Sequence, residues 1–115
     1  MLNHMVQFQE RLDGGFAAIS DPTRRAILER LGRGDASISE LSQRFGMTLT
    51  GIKKHVSILE DAELLTTEKV GRVRRCSLGP RRLEDERTWI EQYRKSLEER
   101  FDRLEAFLDR TKGKP

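Results

Sequence analysis

Two short helical segments joined by a tight turn constrain this chain more than any other feature. The first opens on Ser37 with Glu40 three positions later, a capping box in which hydroxyl and carboxylate each bond a free backbone N–H. It ends at Gly46, and Thr48 can cap the second segment only two positions further on. Two short helices with a glycine-containing turn between them predict a helix-turn-helix over residues 37–61.

A β-hairpin is predicted directly after this unit. Two runs that alternate with period two flank Gly71-Arg72, a two-residue loop with glycine first, as a type II′ turn prefers. So short a loop fixes the register, with Val70 facing Val73. We therefore expect a wing over residues 65–78. The side chains expected on its inner face are Leu65, Thr67, Cys76 and Leu78.

A helix is predicted towards each end of the chain, over residues 4–20 and 80–110, because apolar residues step by threes and fours there. The second stripe is too long for a small core to cover, so it needs a partner, and the natural one is a second copy of the chain. Residues 111–115 are expected to form a flexible tail. The expected dimer contacts are Phe8, Leu12, Phe16, Ile90, Leu97, Phe101, Leu104 and Leu108.

Composition and charge limit the class of protein. Hydrophobic and charged residues each make up 36% of the 115 residues, which suits one mainly α-helical domain over residues 1–110 with a thin core. Residues 47–82 carry eight Lys or Arg against four Asp or Glu, so the positive excess lies in the middle of the chain. A local excess of this kind attracts a polyanion.

The predicted second helix of the helix-turn-helix has two distinct faces. Ile52, Val56 and Leu59 fall within about 60° of one another and should pack inward. A polar set falls on the other side, and a basic wing follows it, which matches the geometry for entering a DNA major groove. The expected base contacts are Thr50, Lys53 and Ser57. The expected phosphate or minor-groove contacts are Thr48, Lys54, Lys69, Arg72 and Arg74.

Two stretches of the sequence resemble the ArsR/SmtB family of winged-helix repressors. Phe16-Ala-Ala-Ile-Ser-Asp-Pro-Thr-Arg-Arg-Ala-Ile-Leu28 is similar to the family's entry into its second helix. Lys54-His-Val-Ser-Ile-Leu-Glu-Asp-Ala-Glu-Leu-Leu65 is similar to its recognition helix running into the wing. The resemblance implies a mainly α winged helix-turn-helix, a homodimer formed by the first and last helices, and repression of transcription at a roughly palindromic operator.

The chain departs from the metal-sensing members of that family. Ser39-Glu-Leu-Ser-Gln-Arg44 lacks their cysteine pair, and the last helix has no histidine. His4, His55 and Cys76 cannot build a closed site of the usual nitrogen and sulfur ligands. We therefore expect the non-metal-sensing branch, with no metal and no cofactor. Any small-molecule effector stays unknown.

Several residues keep two interpretations at this point. His55 suits a packed structural histidine better than a ligand, and Cys76 suits a small apolar filler, with redox sensing as the alternative. Trp89 and Tyr93 pack at a dimer seam or frame a ligand pocket. Arg24 and its neighbour Arg25 meet an external anion or a nearby acid.

Three classes of function compete. A DNA-binding regulator is the leading hypothesis, and the alternatives are a protein-interaction module of the same fold or a regulator that responds to a ligand or to redox state. No phosphate loop, nucleophile elbow or carboxylate pair points to an enzyme. No apolar run is long enough to cross a membrane, and no signal peptide is recognisable, so we expect a cytoplasmic protein.

Overall fold

The computed structural model describes residues 2–112, with side chains from residue 4 onward. The chain divides into two compact units at the Glu84–Asp85 bond. Of the predicted tail, residues 113–115 lie outside the described residues, whereas Thr111 and Lys112 belong to the last helix. The elements, in chain order, are α1 (Leu2–Ala18), α2 (Pro22–Leu31), β1 (Ala36–Ser37), α3 (Ile38–Phe45), α4 (Leu49–Asp61), β2 (Leu65–Val70), β3 (Val73–Leu78) and α5 (Glu84–Lys112).

The caps of α3 and α4 fix the helix-turn-helix where the sequence predicts it. The Ser37 hydroxyl accepts the Glu40 N–H at 3.0 Å, and the Thr48 hydroxyl accepts the Gly51 N–H at 3.1 Å. Gly46 ends α3 with φ +60°, a left-handed conformation that glycine adopts without a Cβ penalty. Hydroxyl caps and one glycine thus fix the start of both helices, the end of α3 and the turn between them.

The hydrophobic core lies between the helix-turn-helix, α2 and the base of the wing. Ile52, Val56 and Leu59 are all buried, so α4 turns the predicted face inward. They pack with Ile27, Leu31, Leu41 and Leu65, among others. Burying side chains of this size contributes about 1.5–3 kcal/mol each, which holds α4 in a fixed orientation.

The wing has the predicted register and one strand that the sequence did not reveal. Val70 pairs with Val73 and Leu65 with Leu78, as the two-residue loop requires, and Gly71 has φ +64°. The short strand β1 adds to the other edge of β3, giving the order β1-β3-β2. The inner face differs in one residue: Cys76 is fully buried, but Leu78 at the end of β3 is 41% exposed.

The two arginines at the start of α2 hold the end of α1. Arg24 donates from Nε to the Ala18 carbonyl at 2.6 Å and from Nη2 to the Ala17 carbonyl at 3.1 Å, and Arg25 donates to the Ile19 carbonyl at 2.6 Å. Free carbonyls at a helix C-terminus attract cations, so both guanidinium groups have favourable partners. Neither interpretation of these arginines from the sequence, an external anion or an acid, anticipated these carbonyls.

The last helix begins four residues later than predicted. Gly79 and Arg81 donate their N–H groups to the carbonyls of Leu64 and Glu63, at 2.9 and 3.2 Å, which holds this segment against the wing base. Leu83 then takes φ +63°, so α5 starts only at Glu84 instead of Pro80. The predicted start at Pro80 is wrong because the N–H groups of Gly79 and Arg81 bond to the Leu64 and Glu63 carbonyls.

The first helix also differs from the prediction. It spans Leu2–Ala18 instead of residues 4–20 and passes through Gly14-Gly15 without a break. Leu12, one of the predicted dimer contacts, is only 7% exposed because it packs within its own chain. Phe16 is half-buried, and Phe8 is exposed. Leu12 is therefore less exposed than the other predicted dimer contacts.

Candidate nucleic-acid interface

The polar face of α4 forms one exposed ridge. Thr50, Lys53, Lys54 and Ser57 are all exposed, on the side opposite the buried Ile52, Val56 and Leu59. Neither lysine forms an ion pair within the residues that the structure describes. The ridge therefore presents hydroxyl and ammonium groups to solvent, with their donors available to an external partner.

The wing and the helix-turn-helix enclose a basic cleft of about 310 Å³. Lys53 of α4 lies on one side, and Arg72 and Arg74 of the wing lie on the other. No acidic side chain lines it. Three cations without a counter-charge in one concave site attract an anion more strongly than the same charges spread over a flat surface. Its lining is completed by Ser37, Ile38, Ser39, Leu49 and Val73.

Sequence patterns missed part of this cleft. Ser39 and Leu49 line it although neither was predicted to contact DNA. Ser39 is the second residue of α3, where backbone N–H groups have no partner within the helix. The signal available in the sequence was its position after the capping residue Ser37.

A polar chain links the wing to the end of α4. Arg74 Nη2 donates to the Thr67 hydroxyl at 3.4 Å, and that hydroxyl donates to Glu60 Oε2 at 2.7 Å. Arg74 is thus held by a partner on the neighbouring strand, whereas Arg72 at the tip forms no hydrogen bond or ion pair within residues 4–112. Arg74 therefore has a fixed position, whereas the Arg72 side chain is able to change conformation when a ligand binds.

The tip of the wing combines cations with exposed apolar groups. Val70 and Val73 are 52% and 51% exposed on either side of the turn, and Lys69 is exposed beside them. Valine pairs of this kind normally turn towards a core. Here they extend beyond the core and offer apolar contacts next to the charged groups.

His55 is a hydrogen-bonded structural residue on the flank of α4. Its Nδ1 lies 3.2 Å from Arg24 Nη1 and 4.0 Å from Asp21 Oδ2. Asp21 itself caps α2 by accepting the Arg24 N–H at 3.1 Å, and this hydrogen bond holds the pKa of the Asp21 carboxyl below its ordinary value. The imidazole therefore connects α4 to the α1–α2 corner.

Cys76 is a buried filler of the wing base. Its side chain has no exposed surface, and burial raises the pKa of its thiol to about 11. Since the thiolate is the reactive form, the group is inert at neutral pH. The redox alternative therefore has no chemical support at this position.

The helix α5 carries an apolar stripe along its whole length. The rings of Trp89 and Tyr93 stack with centroids 5.4 Å apart, and both are about half exposed. The stripe spans only about 120° of the helix circumference, as in helices that pair along their length. Its other exposed members are Ile90, Leu97, Phe101, Leu104, Phe107 and Leu108.

Among the described residues, no three His, Cys, Asp or Glu side chains come together in a way that would bind a metal ion. No described helix is both long and apolar enough to span a bilayer.

A helix-turn-helix with an exposed polar ridge, followed by a basic wing, defines the class: a winged-helix DNA-binding protein. A family model described as a helix-turn-helix domain matches residues 19–68. The chain belongs to the ArsR family of winged-helix transcriptional regulators, as its relatives show. It is a DNA-binding transcriptional regulator.

Three similar proteins illustrate the relationship. Transcriptional repressor SdpR of Bacillus subtilis is 36% identical over 75 residues, covering 65% of this chain and 83% of SdpR. The crystal structure of the ArsR family transcriptional regulator RHA00566 is 41% identical with a TM-score of 0.73, covering 78% of this chain and 93% of that one. The homodimeric winged helix-turn-helix domain of Mb0332 from Mycobacterium bovis has a TM-score of 0.59 at 17% identity, covering 88% of each chain, which shows the shared fold alone.

Proposed function

We propose that this protein is a homodimeric repressor of a palindromic operator. In this proposal α4 contacts the bases, and the wing binds the adjacent sugar-phosphate backbone of the DNA. The observation that carries the proposal is the basic cleft, in which Lys53 of the reading helix and Arg72 of the wing face the same space without an acid. A phosphate in this cleft would neutralise charges that the protein leaves uncompensated.

The exposed ridge of α4 supplies the base contacts in this proposal. Lys53 suits the acceptors of guanine, and the hydroxyls of Thr50 and Ser57 suit either donors or acceptors in the major groove. Thr48 and Lys54 take phosphates; the Thr48 hydroxyl accepts the Gly51 N–H through its oxygen and keeps its own proton to donate. The phosphate contacts that position the protein on the duplex and the base contacts that recognise the sequence thus come from adjacent turns of one helix.

The wing supplies the contacts outside the major groove. Lys69, Arg72 and Arg74 lie along the backbone or enter the minor groove, where cations are favoured by the negative potential. The exposed pair Val70 and Val73 would contact sugars there. These contacts fix register and add affinity without reading bases.

A second copy of the chain is the proposed partner of the apolar stripe on α5. At 29 residues the helix is about 43 Å long, and its exposed stripe would be costly to leave in water. SdpR is named a repressor and the Mb0332 domain is homodimeric, which supports both parts of the proposal by analogy. A protein of this kind acts on the chromosome, so we place it in the cytoplasm.

The proposal also assigns the chain to the branch of the family without the classical metal sites. Its support is chemical: the segment Ser39–Arg44 has no cysteine and α5 has no histidine. Occupancy of DNA would then depend on protein concentration or on a different ligand.

Salt dependence of DNA binding tests the proposal against a protein-docking role for the same fold. A dimer that neutralises about 6–10 phosphates loses roughly 10³–10⁵ in affinity between about 50 and 200 mM salt. Fragments of the source genome selected by the protein should share a palindrome with half-sites about one helical turn apart. A flat salt response, or selection without any common site, would refute the DNA-reading role.

A further inference from the structure

A second cavity, of about 220 Å³, lies at the base of the wing, apart from the basic cleft. Leu28 of α2, Leu64 and Leu78 of the wing base, and Leu83 before α5 form its walls. Leu64 is 3% exposed, whereas Leu78 is 41% exposed although it ends a strand whose other inner residue, Cys76, is fully buried. The leucines thus surround a space that the described side chains of this unit leave open.

Arg81 and Arg82 complete the lining of this cavity, whose surface is almost entirely apolar. Arg81 is engaged with the Ala62 and Arg11 carbonyls at 3.3 and 3.5 Å, so it holds the rim in place. The Arg82 guanidinium forms no hydrogen bond or salt bridge within residues 4–112. Arg81 is therefore fixed in place, whereas the exposed Arg82 side chain is able to turn its guanidinium towards a ligand in the cavity.

The backbone beside this cavity has an unusual conformation. Leu83 has φ +63°, which is uncommon for a non-glycine residue. The Arg82 N–H donates to Glu84 Oε2 at 2.9 Å, which closes the turn on itself. This hydrogen bond lowers the pKa of the Glu84 carboxyl, and the charges of Arg81 and Arg82 lower it further.

We propose that this cavity, the leucine pocket, binds a small apolar carboxylate, with the chain or ring among Leu28, Leu64, Leu78 and Leu83 and the carboxylate on Arg82. An apolar cavity of about 150 Å³ accommodates benzene, so 220 Å³ has room for a ligand of about ten non-hydrogen atoms. A neutral ligand would leave Arg82 unused, and a cationic ligand would not pair with it.

Titration of the full-length protein with octanoate, without DNA, tests this site. Methyl NMR spectra should show saturable shifts of the four pocket leucines, with a dissociation constant on the order of 1 mM or below. Octan-1-ol has the same chain without the charge and should bind about tenfold more weakly. Absence of saturable shifts at the pocket leucines would overturn the proposal, and equal binding of octanoate and octan-1-ol would overturn the carboxylate assignment.

Two variants keep the test independent of folding. Arg82→Gln removes the available guanidinium and should weaken octanoate binding about tenfold while leaving octan-1-ol binding unchanged. Arg33→Gln removes the same charge from an exposed position that does not line the pocket, and it should bind octanoate like the parent protein. Equal effects of the two substitutions would show that net charge, and not the rim of the leucine pocket, governs the binding.

Discussion

Arg24 Nη1 lies 3.2 Å from His55 Nδ1, so a guanidinium at the start of α2 touches the helix that carries the proposed base contacts. Arginine has no acceptor, so Nδ1 must accept and the neutral imidazole carries its proton on Nε2. The same guanidinium donates to the carboxyl end of α1 at Ala17 and Ala18. One side chain therefore joins three helices.

Removal of that side chain should destabilise the protein. Arg24→Ala leaves the Ala18 carbonyl and an imidazole nitrogen without their donor, so we expect a loss of about 1–3 kcal/mol in the free energy of unfolding. The Ala17 carbonyl keeps the N–H and hydroxyl of Ser20. Arg25→Ala removes one exposed hydrogen bond, to Ile19, and should cost less than about 1 kcal/mol. Urea denaturation of both variants measures the difference. Equal effects would mean that the contacts of Arg24 with α1 and His55 contribute nothing specific.

Adjacent lysines on α4 should differ in their effect on DNA binding. Lys53→Ala removes a proposed base contact and should weaken binding to the selected operator by about 1–3 kcal/mol more than binding to random DNA. Lys54→Ala and Arg72→Ala remove proposed phosphate contacts and should weaken both about equally. Competition binding with operator and random duplexes gives both values. If Lys53→Ala weakened binding to operator and to random DNA equally, Lys53 would not be a base contact.

A charge within the stripe of α5 should separate the proposed dimer. Leu97→Glu introduces a carboxylate among apolar side chains, and burying it unpaired is unfavourable enough to yield monomers in sedimentation experiments. Gln92→Glu adds the same charge on another side of the helix and should leave the assembly intact. Persistence of the parent mass in Leu97→Glu would exclude this stripe as the contact.

Two glycines should respond to alanine in opposite directions. A Cβ at Gly79 would lie 2.4 Å from the Glu63 carbonyl oxygen, and backbone atoms cannot yield cheaply, so Gly79→Ala should cost about 2 kcal/mol or more. A Cβ at Gly14 meets no atom within 4 Å inside α1, so Gly14→Ala should stabilise by about 0.4–1 kcal/mol. Thermal unfolding of the two variants decides the signs.

The buried thiol should react only when the protein unfolds. Burial raises the pKa of Cys76 from 9.0 to about 11, so at pH 8 the folded protein holds about 100-fold less thiolate than the unfolded chain. Alkylation by iodoacetamide should be slower by at least that factor without denaturant and should accelerate as pH rises towards 11. Rapid labelling of the folded protein at pH 8 would restore a redox role.

Local signals in the sequence predicted the elements that depend on local physics. Ser37 and Thr48 accept N–H groups three residues ahead, so residue type and spacing alone revealed two helix starts. The register of the wing followed from the length of its loop. The inward face of α4 followed from helical periodicity in the same way.

Features that depend on distant partners were not predictable from such signals. The carbonyls that accept hydrogen bonds from Arg24 and Arg25 lie at the end of α1. No residue pattern near these arginines predicts those partners. The turn at Leu83 depends on N–H groups bonded back to residues 63 and 64. A strand of two residues, β1, is too short to show any alternation.

That two-residue strand has a mechanical consequence for the proposed DNA-reading surface. Ser37 pairs with Arg75 of the wing, and its hydroxyl also starts α3. A tilt of the wing would therefore pull on the leading end of the helix-turn-helix through a single residue. The width of the groove that the hairpin contacts would therefore affect the position of the helices that read the bases. Recognition of DNA shape and recognition of base sequence would then depend on each other.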